Sequence, residues 1–437
     1  MKIAIAGYGV EGKENYVYWS ADPANELTIV NERDDGSVAY PPEAPVIVGE
    51  GAFGQLDGFD MVVRTAGLSP HKIKTDGKVW SATNEFFAKC PAPIIGVTGS
   101  KGKGTTASLI ASVLEAAGKK VWLVGNIGLP ALSVLSQVQP DDIVVYELSS
   151  FQLWDIEASP HTAVVLFIEQ EHLDVHRDMD EYVAAKANIT RHQTENDLLV
   201  YNAANRYAVQ IAEGSKAQKI GYPQQGAHIE DDTFYCTDEA GNTTQLCAVS
   251  ELRIKGEHNE TNALAAIDAT WPYIGAREDV AEILKQGFNA FHGLPHRLAY
   301  VATVNSVDYY DDSIATTPSS AIAALRAFAD QPKVIILGGS YKGSDFHELA
   351  YELTKHDVRT VLVGDEAQRI ADACEANGFT GYEIIENATA ETFTRRAAEL
   401  AQPGGVVLLS PAAASFGLFK NYADRGDQFI AAVTALK

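Results

Sequence analysis

The residues best equipped for chemistry lie in the run Thr98-Gly99-Ser100-Lys101-Gly102-Lys103-Gly104-Thr105-Thr106. Glycines at 99, 102 and 104 let a backbone curl around phosphate oxygens without Cβ clashes. Lys103 can then reach the β- and γ-phosphates, and a threonine hydroxyl can bind Mg2+. The spacing is a shortened G-x-x-G-K, and a purely structural glycine turn is its alternative. Glu147 ends the apolar run 143–146, where an acid at a strand tip beside a phosphate loop suits Mg2+. Taken alone, it also reads as a capping or solvated acid. His172 follows Glu169-Gln170-Glu171 and suits a metal or phosphate contact, or an ordinary polar loop. Lys186 lies in a helical stretch and reads by spacing as a surface lysine. Asn259 and Asn262 stand at a helix start, where their amides either cap the helix or read a base. Asp311-Asp312-Ser313 can cap a helix or line a cleft. Gly7-x-Gly9-x-x-Gly12 follows the strand 2–6. It suits an anion on a helix N-terminus or a tight turn, and its short domain suits a mononucleotide more than a dinucleotide.

These residues need strands that end at loops, and the chain supplies them repeatedly. Short apolar strands are expected at 2–6, 26–30, 46–48 and 61–63, and the prolines at 91 and 93 close a first domain of about 90 residues. A second α/β series follows, with strands at 94–97, 121–124, 143–146, 163–167 and 198–201. Its helix after the glycine loop is stopped by Gly118. Residues 205–255 are more polar and read as a peripheral insertion, with the core resuming in a helix near Asn262. Gly293-Leu294-Pro295-His296-Arg297 reads as a second linker. The last third alternates again, with strands at 307–310, 334–337, 360–363 and 406–409. Strands alternating with helices throughout predict three doubly wound α/β domains.

Among 437 residues, 46% are hydrophobic, enough for several cores. Lys and Arg number 34 against 58 Asp and Glu, a formal charge of −24. Such a surface argues against nucleic acid or an anionic membrane as partner. An anionic substrate must therefore be held by local devices: helix N-termini, a few basic side chains and metal ions. The four cysteines are scattered with no C-x-x-C spacing, which points to reduced thiols in the cytoplasm and no zinc site. The opening MKIAIAGYGVEG reads as a strand and turn, not a leader, and no apolar run approaches the roughly 20 residues of a membrane span.

Ten stretches in order extend this reading: TGSKGKGTT (98–106), GNIGLPAL (125–132), YELSSFQL (146–153), EHLD (171–174), YVAAKANI (182–189), GEHNETNALAA (256–266), GLPHRL (293–298), DDSIATTP (311–318), LGGSYKGSDF (337–346) and LLSPAAASFGLFKNYADRG (408–426). Together they resemble the Mur ligase family over essentially the whole chain, and within it the members that add D-glutamate to UDP-N-acetylmuramoyl-L-alanine. The resemblance implies an α/β protein of three domains: a Rossmann-like UDP-binding domain (1–92), a central P-loop ATPase-type domain with a parallel sheet (93–297), and a C-terminal Rossmann-like domain for the amino acid (298–437). It implies that Gly9, Gly12, Arg33 and Thr65 hold the UDP group and that Asn126 contacts the UDP-linked substrate. Gly99, Ser100, Gly102, Lys103, Gly104, Thr105, Asn259, Asn262, Arg297 and Asp312 would bind ATP. Lys103, Glu147, His172 and Lys186 would form the catalytic set. Thr105, Glu147, His172 and a carbamylated Lys186 would serve two Mg2+ sites. Thr316, Lys342, Ser415 and the backbone near Tyr422 would receive glutamate. The implied protein is a cytoplasmic monomer acting on peptidoglycan precursors.

Two positions depart from the family pattern. Gly104 stands where many relatives have Ser or Thr, which leaves the metal hydroxyl to Thr105, and Ile314 stands where close relatives often have Lys. The implied reaction has two steps. A substrate carboxylate attacks the γ-phosphate of ATP to give an acyl phosphate, and the glutamate amine then displaces phosphate, with His172 as candidate base and domain closure excluding water. A folylpolyglutamate synthetase-like ligase shares the GKGT loop but lacks such a first domain. An amidotransferase-coupled relative would carry C-x-x-C pairs. A catalytically dead nucleotide-binding protein would not keep Lys103, Glu147, Lys186 and Asp312 together.

Overall fold

Runs of Val, Ile, Leu and Ala a few residues long, broken by glycine turns, favour strands buried on both faces. The computed structural model describes residues 1–33, 39–173, 175–341 and 343–436, and forms them into such strands. The chain makes two units, Met1–Glu251 with Thr261–Ala290, and Leu252–Glu260 with Phe291–Lys437. Among the described residues, no helix is long and apolar enough to cross a membrane.

The first sheet of the first unit contains β1 (Lys2–Ala6), β2 (Glu26–Asn31), β3 (Val46–Val48), β4 (Met61–Arg64) and β5 (Lys78–Ser81). Its order is β3-β2-β1-β4-β5 with every pair parallel. Ile3 and Ile5 pack with Trp19 and Leu27 on one face, while Ala4 and Ala6 pack with Phe53 and Leu56 on the other. The strand order reverses at β1, so the crevice for a ligand lies beyond the ends of β1 and β4.

The next sheet contains β6 (Ile94–Thr98), β7 (Val121–Gly125), β8 (Ile143–Glu147), β9 (Thr162–Val165), β10 (Leu198–Asn202) and β11 (Gln218–Tyr222). It is parallel throughout, in the order β11-β10-β9-β6-β8-β7. Its switch point is β6, beside the tips of β8 and β9. The antiparallel strands β12 (Ala227–Glu230), β13 (Thr233–Thr237) and β14 (Thr243–Ala248) complete the strands of this unit. The expectation of a peripheral insertion at 205–255 is therefore corrected in its first part. The helix Arg206–Gly214 and β11 belong to the central sheet, and the polar sequence of β11 reflects its edge position. The core helix starts at Glu257, ahead of Asn262.

The second unit is built on β15 (Ala299–Val304), β16 (Val307–Asp311), β17 (Lys333–Gly338), β18 (Val358–Val363), β19 (Tyr382–Ile385) and β20 (Val406–Leu409). The order is β15-β16-β20-β17-β18-β19, with only β15 antiparallel to its neighbour. Ile335 and Leu337 face one apolar layer, and Val334 and Ile336 the other. Sequence reading had not anticipated β5, β15 or β19.

Candidate active site

The phosphate loop leaves β6 and enters the helix Lys103–Ala116. Gly99 (φ 155°) has no room for a side chain, because a Cβ would sit 2.7 Å from Leu166 Cβ. Gly102 is left-handed (φ 85°), and a Cβ there would meet Asn262 Oδ1 at 2.3 Å, so the Asn262 amide packs directly on the loop. Gly102 caps the helix with no side-chain bond. The first-turn amides thus face outward with the positive end of the helix dipole. Lys103 Nζ folds back over the loop, donating to the carbonyls of Gly99 (3.0 Å) and Ser100 (2.9 Å). Thr105 and Thr106 are both buried, and the Thr106 hydroxyl finds no hydrogen-bond partner among the described residues.

Lys186 does not occupy the surface position that spacing suggested. It is only 1% exposed, on the helix Met179–Ala187, and its Nζ donates to the Gly99 carbonyl at 2.8 Å. The Nζ also lies 4.7 Å from the ring centre of Tyr182, one turn earlier on the same helix face. Burial, reinforced by the charge of Lys103, drives its amine well below the usual lysine range, with Glu171 and Glu147 opposing. Tyr182 shares a hydrogen bond with Ser100 Oγ (2.9 Å), and Ser100 Oγ in turn donates to the Glu169 carbonyl (2.9 Å). Burial pushes the Tyr182 phenol upward. Although burial would raise Glu171, the charges of Lys101 and Lys103 hold its carboxyl below the usual range.

Glu147 is buried at the tip of β8, paired in register with Gly125 of β7. Asn126, exposed, follows Gly125 at the same sheet edge. His172 adopts a left-handed backbone (φ 57°), with its ring 4.9 Å from Phe151 and its Nε2 3.8 Å from Glu171. Among the described residues, no group of three or more His, Cys, Asp and Glu side chains forms a ready metal cage. Mg2+ needs few protein ligands when phosphates and waters complete its shell, and it takes oxygen donors. The Glu147 carboxylate and the Thr105 hydroxyl fit that chemistry. Lys186 fits it only once its nitrogen carries a carboxylate, and His172 offers a single nitrogen in place of the oxygen that Mg2+ prefers.

The crevice of the first sheet, the first crevice, lies where β1 and β4 end. Gly7 (φ 91°) would clash with Thr65 Oγ1 at 2.4 Å if it carried a Cβ, and a Cβ on Gly12 would reach the Gly7 carbonyl at 2.1 Å. These two glycines are therefore required by packing. A Cβ on Gly9 would meet nothing within 4 Å, so its backbone is the open approach to the helix Val10–Ser20. Thr65 donates to the Ala6 carbonyl (3.2 Å), and Arg33 is exposed beyond β2. Sequence reading missed Asn31, which accepts from Tyr8 N (2.9 Å) and donates to Tyr40 OH (2.9 Å), as well as the buried Arg64. A polar residue ending β2 was the available signal for Asn31.

In the second unit, Asp312 follows β16. It accepts from Ser410 Oγ (2.7 Å) and Leu298 N (3.1 Å). Burial pushes its carboxyl up to about 7, despite those bonds and the charge of Arg297. Asp311 accepts from, or shares a proton with, His296 Nδ1 at 2.6 Å. Arg425, also missed, is 2% exposed and donates to Ser313 Oγ, the Ser313 carbonyl and the Ala413 carbonyl. Ser313 Oγ donates to the Tyr422 carbonyl (2.7 Å). Thr316 and buried Ser415 follow β16 and β20, neighbouring strands whose tips define one edge, with half-exposed Tyr422 bonded to that cluster. Asn259 Nδ2 donates to the Lys255 carbonyl (2.7 Å) near the helix start. Lys342 lies outside the described residues.

Residues 97–270 match the Mur ligase middle domain, and residues 296–413 match the Mur ligase glutamate ligase domain. The UDP-N-acetylmuramoylalanine–D-glutamate ligase of Clostridium tetani is 35% identical over 448 aligned positions, covering 98% of this chain and 95% of that protein. Its namesake from Acetivibrio thermocellus is 38% identical over 408 positions, covering 89% and 86%. Among solved structures, the UDP-N-acetylmuramate–alanine ligase of Thermotoga maritima covers 100% of both chains at 18% identity with a TM-score of 0.62, a likeness of fold.

Proposed function

The chain belongs to the Mur ligase family, and from that premise we propose that it joins D-glutamate to UDP-N-acetylmuramoyl-L-alanine, converting ATP to ADP and phosphate, in the synthesis of peptidoglycan precursors. The observation that carries the chemistry is that Lys103 and Lys186 donate to the same Gly99 carbonyl, at 3.0 and 2.8 Å. Two ammonium ions on one carbonyl would repel each other, and burial makes Lys186 the one more easily deprotonated. Lys103 is then the mobile cation that exchanges loop carbonyls for ATP phosphates. Lys186, as a neutral amine, can take up CO2 and become an oxygen ligand.

In this reading residues 1–92 hold the UDP group, through Gly9, Gly12, Arg33 and Thr65, and Asn126 meets its carboxylate-bearing end. Residues 93–297 bind ATP on the loop from Gly99 to Thr105, with Asn259, Asn262, Arg297 and, from residues 298–437, Asp312. Thr105, Glu147, His172 and carbamylated Lys186 would hold two Mg2+ ions, which would supply charge neutralisation to the reacting anions. Lys103 and the first-turn amides of its helix take the charge that develops as the carboxylate attacks the γ-phosphate. Thr316, Lys342, Ser415 and the backbone at Tyr422 orient glutamate so that its amine reaches the acyl phosphate. The reading makes the protein a cytoplasmic monomer.

The test crosses UDP-N-acetylmuramoyl-L-alanine with D-glutamate, L-glutamate and other amino acids, following product and phosphate together. Phosphate release matched by the D-glutamyl product is expected. Efficient use of L-glutamate with none of the D form would overturn the stereochemical assignment, and absence of any product would overturn the ligase itself.

A further inference from the structure

The last residue of β4, Arg64, has no exposed side-chain surface. The phosphate chemistry does not use it. Its guanidinium faces two ways. Nη1 donates to the carbonyls of Thr65 (3.2 Å), Ala66 (3.1 Å) and Leu68 (2.8 Å), shaping the loop that carries Thr65 into the first crevice. Nε and Nη2 grip both oxygens of Asp155 (2.9 and 2.5 Å), and Nη2 also donates to the Phe151 carbonyl (3.0 Å). The loop is held from its other side by Glu11, in the first turn of the helix Val10–Ser20, which accepts from Ala66 N (2.8 Å).

Phe151 and Asp155 belong to the segment that runs directly on from Glu147. That segment is fastened to the phosphate-loop strand, because Leu148 N donates to the Val97 carbonyl (2.9 Å) and the Leu148 carbonyl accepts from Thr98 Oγ1 (2.8 Å). The Phe151 ring packs 4.9 Å from that of His172. The Asp155 carbonyl accepts from Asn84 Nδ2 (3.0 Å), a second tie to the chain before β6. A single rigid fork therefore joins the nucleotide-sugar loop to the frame that holds Glu147 and His172. Only a planar group with several fixed donors can span so many acceptors at once.

We propose that Arg64 is a positioning residue that fixes loop 65–68 to segment 151–155, so that a substrate seated in the first crevice presents its carboxylate to the phosphate loop in one register. The inference rests on the ligase reading above and adds to it a determinant of substrate placement. One nitrogen holds three carbonyls of that loop, those of Thr65, Ala66 and Leu68, while the rest of the guanidinium holds Asp155 and Phe151, so the tie fixes where the loop sits relative to segment 151–155. A displacement of about 1 Å at a reacting centre is enough to cost on the order of a hundredfold in rate, so such a tie has consequences for turnover.

The experiment uses the full chain with two substitutions. Arg64→Lys keeps the charge and loses the fork. Asp155→Asn keeps the shape and weakens only the tie to the central sheet, leaving the bonds to loop 65–68. In both, kcat should fall by about tenfold to a hundredfold and the KM for UDP-N-acetylmuramoyl-L-alanine should rise about tenfold, while the KM for ATP stays within about twofold. For Asp155→Asn, the affinity for UDP alone, measured by calorimetry, should also stay within about twofold, because the crevice itself is intact. Equal rises in both KM values, no rise in either, or failure of both variants to fold would each return Arg64 to a purely structural role. The wild type run alongside separates the two levels: an active wild type with insensitive variants sinks this inference alone, and an inactive wild type sinks the ligase reading and this inference with it.

Discussion

Asp268 sits in the middle of the apolar helix Glu257–Ile274 with no exposed surface. Its Oδ1 accepts from Ala227 N (2.7 Å) and lies 3.9 Å from the Cys236 thiol, docking the antiparallel sheet onto the helix. Its Oδ2 has no hydrogen-bond partner among the described residues. Burial raises the carboxyl from its ordinary 3.8 to about 8, the Ala227 and Cys236 hydrogen bonds notwithstanding. A carboxyl with a folded value above its unfolded one binds its proton more tightly when folded. Its contribution to stability is complete below pH 3.8 and is lost as pH rises towards 8. At about 1.4 kcal/mol for each pH unit above the unfolded value, the loss is roughly 4 kcal/mol by pH 7. Asp268→Asn removes that loss and keeps the bond from Ala227. It also adds amide hydrogens with no acceptor, which cost about 1–2 kcal/mol. The variant should therefore be more stable than wild type by about 2–3 kcal/mol near pH 7 and about equal to it near pH 5. Urea unfolding at both pH values, with hydrogen exchange at the Ala227 amide as a local reporter, measures the difference. A variant less stable at pH 7, or an advantage that does not grow between the two pH values, would refute the argument, since either result requires an ordinary carboxyl at this site.

Lys103→Ala should leave the fold intact and lower the ligation rate by at least about a hundredfold, because it removes the cation facing the transferring phosphoryl group; near-normal turnover in a folded variant would dismiss the ATP site. Thr105→Val should raise the Mg2+ concentration needed for half-maximal rate, whereas Thr106→Val, which deletes a hydroxyl with no hydrogen-bond partner among the described residues, should be neutral or slightly stabilising; a larger metal effect at Thr106 would mean the loop roles are exchanged. Intact-protein mass spectrometry under CO2 should find Lys186 heavier by one CO2, and CO2-depleted buffer should slow the wild type reversibly while leaving the low residual rate of Lys186→Ala unchanged. An unmodified Lys186 in fully active enzyme would exclude carbamylation.

What the sequence could show of all this follows from where the physical information sits. Glycine positions are informative because backbone geometry is local. The loop at 98–106 and the turn at Gly7–Gly12 could both be located from composition and order, and the structure gives the reasons: the left-handed Gly102 and the Gly12 contact with the Gly7 carbonyl. Apolar runs exposed the central strands for the same reason. An edge strand such as β11, with three of its five residues at least partly exposed, has no such run and reads as a loop. Burial of a charged side chain is not local at all. Lys186 looks like a surface residue because its neighbours in sequence say nothing of the strand end and loop that cover it. Arg425 is similar, with acceptors on segments near 313 and 413. The one local hint was Tyr182, a helical turn before Lys186, among alanines too small to shield it.

The distribution of charge connects these failures to the chemistry. A chain with formal charge −24 repels anionic substrates over most of its surface. The basic side chains that matter are therefore the ones withdrawn from that surface. Lys186 and Arg64 are almost wholly buried, and Arg425 is buried enough that its guanidinium falls to about 10. Each donates to backbone carbonyls and so fixes a stretch of backbone: the phosphate loop by Lys186, loop 65–68 by Arg64, and the edge carrying Ser313 and Ala413 by Arg425. Lys103 differs in being only partly buried and bonded to carbonyls of its own glycine loop, bonds that an incoming phosphate can replace. Substituting a buried basic side chain should thus disturb placement and folding together, whereas substituting Lys103 should disturb rate alone, and comparing stability with turnover across the four positions distinguishes the two kinds of lysine and arginine.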